Sequence, residues 1–250
     1  VAFALMLLSM LFFRNPAVAA NDAPPVFRLG DGATPTAYSV RLVVDPGRDS
    51  FEGDVAIHLR INREAATLWL NGTNLTVQSA SWEVAERQVA LVAKTEGNQF
   101  IGLSSTEPLA AGEGVLRIQY RGKIDALSTR GVFRQQEGGD WYVVTQFEAL
   151  SARRAFPCFD EPSWKTPWQL TLDVASGNMA FSNTPVAAES DLENGMKRFA
   201  FARTLPLPSY LIAFAVGPFD VVDGGTAGRN RTTLRYVVPK GRGAETRYAQ

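Results

Sequence analysis

Trp141-Tyr-Val-Val-Thr-Gln-Phe-Glu-Ala-Leu-Ser-Ala-Arg-Arg-Ala-Phe-Pro-Cys-Phe-Asp-Glu-Pro162 gathers more charges, aromatics and changes of chain direction than any other stretch of this 250-residue sequence. Its first residues are aromatic or β-branched, so it opens as a strand. Positions i and i+2 of an extended chain face the same way, which places the amide of Gln146 beside the carboxylate of Glu148 at the strand end. A carboxylate next to an amide oxygen can receive an ammonium group through charge-assisted hydrogen bonds. The same spacing also describes a strand whose polar face meets water. Arg153 and Arg154 stand within reach of Asp160 and Glu161, and such surface pairs would fix the turn geometry while contributing only about 0–1 kcal/mol each.

Outward from this stretch the pattern has period two. Downstream, Trp168, Leu170, Leu172 and Val174 alternate with Gln169, Thr171 and Asp173. Met179–Phe181 and Phe199–Phe201 flank a polar excursion at 188–197, and Tyr210–Val216 reads as a strand buried on both faces. Leu234–Val238 is a final strand, and 244–250 begins a helix. Upstream, Tyr38, Val40, Leu42 and Val44 form one face of a hairpin with Val55, Ile57, Leu59 and Ile61, joined by a turn at Pro46–Ser50. Further short strands follow at 68–70, 89–92, 100–103 and 116–120, separated by Gly-rich turns. Strands at such spacing predict an all-β fold, a large antiparallel sandwich or saddle spanning residues 36–240.

The first 20 residues differ. Val1 to Phe13 is apolar apart from Ser9, and Pro16–Ala20 supplies small residues of the kind that precede a signal-peptidase cut. Residues 1–20 therefore read as a signal segment, too short to span a bilayer comfortably. The expected location is exported, periplasmic or secreted, with membrane contact only through residues 1–20 if they are retained. Residues 21–35 read as a flexible linker. Lys plus Arg and Asp plus Glu are equal at 25 each, which argues against a nucleic-acid surface. Cys158 is the single cysteine, so no disulfide forms within the chain; between Pro157 and Phe159 it reads as a small buried apolar residue. The single histidine, His58, falls on the polar face of its strand and is a poor metal or catalytic candidate.

The run Thr145–Pro162 resembles the signature of the amino-terminal domain of M1-family zinc aminopeptidases of the aminopeptidase N type. Leu207-Pro-Ser-Tyr-Leu-Ile-Ala-Phe-Ala-Val-Gly-Pro-Phe219 is similar to a segment near the end of that domain, and Trp168–Val174 and Phe181–Asn183 fall where the family has strands. The resemblance covers roughly 36–250. It implies that Gln146 and Glu148 contact the free α-amino group of a peptide substrate. It also implies zinc, held in the family by His-Glu-x-x-His plus a later Glu; two histidines four apart on a helix face one metal. With one histidine this chain cannot build that site, so zinc ligands and a catalytic base are not assigned here. Tyr236–Arg242 resembles the family's entry into its catalytic domain, with 241–250 starting that connection. The chain thus reads as a fragment, inactive by itself, of an enzyme acting on peptides with a free amino terminus and completed by a catalytic domain in cis. The alternative is a non-enzymatic exported β module for binding or scaffolding.

Overall fold

A computed structural model describes residues 23–248, so the expected signal segment lies outside the described residues. These residues form sixteen strands joined by turns, and no α-helix occurs among them. In chain order the first nine strands are β1 (Ala33–Val43), β2 (Ser50–Ile61), β3 (Ala65–Asn71), β4 (Leu75–Val84), β5 (Arg87–Glu96), β6 (Phe100–Leu109), β7 (Gly112–Lys123), β8 (Gly131–Glu137) and β9 (Asp140–Gln146). The remainder are β10 (Trp168–Ala175), β11 (Met179–Ser182), β12 (Val186–Leu192), β13 (Met196–Phe201), β14 (Phe214–Gly217), β15 (Phe219–Ala227) and β16 (Thr232–Pro239).

Ten strands make one large sheet in the order β12-β13-β10-β1-β2-β7-β4-β5-β6-β3, and four make a second, β11-β14-β9-β8. Strands β15 and β16 form a separate antiparallel hairpin. The predicted all-β, mostly antiparallel architecture is the observed one. The first hairpin pairs as its alternation demands: in β2, Phe51, Val55, Ile57, Leu59 and Ile61 are buried while Glu52, His58 and Arg60 are exposed. One pairing departs from the antiparallel rule, since β1 runs parallel to β10, with Tyr38 opposite Trp168 and Leu42 opposite Leu172. A parallel neighbour needs a long crossover, here the whole of β2 to β9.

The buried faces of both sheets feed one core. An aromatic column crosses it. Tyr38 stacks on Trp168 with ring centroids 3.9 Å apart. Trp168 tilts against Phe156, and Phe156 meets Phe147, which in turn meets Phe214 of the smaller sheet. Each such ring removes a large apolar area from water and adds a geometric preference.

Two local expectations are corrected. Tyr210–Val216 is not one strand: a 3-10 turn occupies Ser209–Leu211 and only Phe214–Gly217 is extended. The Ser209 hydroxyl bonds a buried carboxylate, Leu211 N donates to Pro208 O, and Leu211 is left exposed. The polar excursion at 188–197 overlaps β12, an edge strand held to β13 by its backbone and exposed on both faces, which erases any alternation. Where a helix is expected at 244–250, Gly243–Tyr248 forms a 3-10 helix, the last element among the described residues. Part of the expected linker at 21–35 is also tied down, because Leu29 N donates to Glu161 Oε1 and β1 starts at Ala33.

Candidate functional site

Gln146 ends β9, opposite Gly131 of β8, and its side chain is exposed. Phe147 turns inward, only 1% exposed, and is gripped between Phe156 and Phe214. Glu148 is exposed again. Burial of the central ring therefore forces the two flanking polar side chains outward, as the i, i+2 spacing predicts. Gln146 Oε1 accepts the Glu148 backbone N–H at 3.1 Å, which folds the amide over the carboxylate residue. The Glu148–Ala149 peptide bond is cis. An amide oxygen has two acceptor positions, so one remains on Gln146 beside the exposed Glu148. No ion pair engages Glu148 among the described residues.

The segment beyond Glu148 is held by a buried ion pair that is stronger in kind than the surface pairing expected. Arg153 and Asp160 are 7% and 1% exposed. Arg153 Nε donates to Asp160 Oδ2 at 2.8 Å, and its Nη2 donates to the Asp160 carbonyl at 3.1 Å. Ser209 Oγ donates to the other carboxylate oxygen at 2.6 Å, and Asp160 N donates to Asn71 Oδ1 at 2.9 Å. Asn71 and Cys158 exchange both backbone hydrogen bonds, and Thr73 N donates to Arg153 O. Asp160 thus ties Arg153 of its own segment to two remote pieces of chain, at Asn71 and Ser209. The other two members of the expected pairs do different things. Glu161 receives Leu29 N, and the stem of Arg154 packs on Gly131, where an added Cβ would lie 2.8 Å from Arg154 Cβ.

Glu148, Ala149, Leu150, Arg130 and Arg154 line one open depression, to which Thr73, Asn98 and Gln99 add polar groups. The role of Asp160 could have been suspected from a carboxylate inside an aromatic run. Those of Ser209, Asn71 and Arg130 depend on contacts that no local pattern reveals. His58 is exposed on β2 and Cys158 is fully buried, its thiol pushed well up by burial. Among the described residues no three His, Cys, Asp or Glu side chains are grouped to hold a metal. The donor set present here does not fit a zinc site.

Comparison with known sequences bears on this geometry. The family described as the Peptidase M1 N-terminal domain matches residues 34–211. Aminopeptidase M1-C of Oryza sativa subsp. japonica is 33% identical over 94% of this chain and 27% of its own length. Glutamyl aminopeptidase of Rattus norvegicus is 28% identical over 85% of the chain and 24% of its own length. Puromycin-sensitive aminopeptidase of Caenorhabditis elegans is 29% identical over 90% of the chain and 24% of its own length. The chain spans about a quarter of the length of the curated relatives it matches.

Proposed function

The chain belongs to the M1 peptidase family, whose N-terminal domain it carries, and from that premise we propose that it serves an aminopeptidase by binding the free α-amino group of a peptide. The observation that supports this reading is the seating of Phe147: a core ring that holds Gln146 and Glu148 out of the protein side by side. Glu148 accepts two N–H groups of the substrate ammonium. Gln146 orients the Glu148 backbone through its own amide oxygen and takes a further N–H on its remaining acceptor position. An anchor of this kind measures off the first peptide bond, so residues leave one at a time. The buried Arg153–Asp160 pair keeps the anchor loop in place. Zinc is the metal this reading assigns to the whole protein, with ligands outside the residues of this chain.

The test is kinetic and uses the full-length polypeptide that carries this domain. Glu148→Gln keeps the shape and removes the charge. A hydrogen bond to a charged group contributes about 1.5–3 kcal/mol, so kcat/KM for free-amine peptides should fall about ten- to a hundredfold. Unchanged kinetics would take the ammonium role away from Glu148. A full-length protein that hydrolyses no peptide would leave the β domain as a binding or scaffolding module.

A further inference from the structure

The depression that holds Glu148 is lined by three arginines, of which only Arg153 forms an ion pair among the described residues. Arg153 is consumed by Asp160. Arg130 is exposed just ahead of β8; its backbone N–H is satisfied by Ser128 Oγ, and its guanidinium meets no carboxylate at ion-pair distance among the described residues. Arg154 is placed more firmly, because its methylenes lie against Gly131, a residue at φ 76° directly opposite Gln146. Only a residue without a Cβ leaves room for that stem. Arg154 acts at a distance on Asp125, whose Oδ1 is already occupied by the backbone N–H groups of Leu127 and Ser128 at 2.8 and 3.0 Å. Arg154 is likewise without an ion pair among the described residues. Two guanidiniums therefore share the cleft with one carboxylate. An arginine fork matches a carboxylate in a two-point, planar fashion, which gives direction as well as attraction.

This matters once Glu148 is matched with an ammonium group, since the rest of the cleft is then positive. We propose that the depression is also a carboxylate receptor, formed by Arg130 and Arg154, which selects peptides bearing a carboxylate close to their free amino group. The inference rests on the reading of Glu148 as ammonium anchor. The carboxylate has two chemical sources. One is the side chain of Asp or Glu at the first or second residue. The other is the terminal carboxylate of a dipeptide.

The experiment measures kcat/KM of the full-length protein on matched pairs. Ala-Asp-Ala-amide against Ala-Asn-Ala-amide and Asp-Ala-Ala-amide against Asn-Ala-Ala-amide test the side-chain source; Ala-Ala against Ala-Ala-amide tests the terminal one. Wild type should favour the acidic member of at least one pair by about tenfold, the scale of a half-exposed charge-assisted contact. Arg130→Gln or Arg154→Gln should bring that ratio to near one, and raising the salt concentration should shrink it in wild type. A wild-type ratio of one or less in every pair overturns the proposal, as does a ratio that both arginine variants leave in place. Glu148→Gln separates the two readings. If it lowers both members of every pair while the ratios are one, the anchor stands and the carboxylate receptor falls. If it changes nothing while an arginine variant still abolishes an acidic preference, the receptor stands and the anchor falls. Unchanged thermal unfolding of each variant guards against a folding defect.

Discussion

At the scale of single residues, the anchor loop depends on Asp160. Its carboxylate is out of water, and its two oxygens are divided between Ser209 and Arg153. Removing one partner of such a buried pair strands the other charge, which typically costs about 3–5 kcal/mol. Asp160→Asn is therefore expected to lower the urea unfolding free energy by that amount. The same replacement at Asp31, whose pair with Arg63 is exposed on both sides, should move the midpoint far less. Equal shifts in the two variants would remove the buried pair from this account. The sequence makes Gln146 and Glu148 visible because an i, i+2 relation is local. It misplaces Arg153 and Asp160 on the surface because their burial is supplied by Asn71 and Ser209, which lie far away in the chain.

At the scale of elements, four strands of the large sheet are laced on their polar side. Arg41 of β1 reaches Asp54 of β2 at 3.0 Å and Asp173 of β10 at 2.6 Å, and Asp173 also accepts from Arg198 of β13. Asp173 is 1% exposed. Burial pushes its carboxyl up, but hydrogen bonds from Arg198 and Arg41 outweigh this and hold it below the ordinary value. A carboxyl that binds its proton less readily when folded adds stability above its unfolded value, near pH 3.9, and that stability drains away as pH falls through the lower folded value. The stability gap between wild type and Asp173→Asn should be widest at neutral pH and narrow below about pH 4; a gap independent of pH would mean that the ladder is only spatial. Element by element, β1, β2 and β10 were legible because one face is buried and the other wet. Strand β12 was not, because an edge strand wet on both faces carries no alternation. Strand β14 came out shorter than its apolar run because Ser209 is drawn to Asp160, a tertiary contact that hydropathy does not encode.

At the scale of the whole molecule, the two sheets share one core, crossed by the aromatic column from Tyr38 to Phe214. Cys158 lies inside it at 0% exposure, with its thiol pushed well up by burial. A thiol reagent at neutral pH should therefore label Cys158 only through unfolding, at a rate with the denaturant dependence of global unfolding. Labelling with a shallow dependence would instead report local opening of the anchor loop. The parallel seam between β1 and β10 has a consequence in time. Across it, Arg41 and Asp173 meet over 132 residues of sequence. At roughly 5–20 residues per second, a ribosome needs on the order of ten seconds to make the strand that β1 waits for. During that interval the nascent chain can pair strands β1 to β7 in the order β1-β2-β7-β4-β5-β6-β3, while the other flank of β1 stays a bare template for other strands. The schedule of synthesis makes the opening strand among the last to be completed, so this domain ripens late and depends on protection of that flank until β10 arrives.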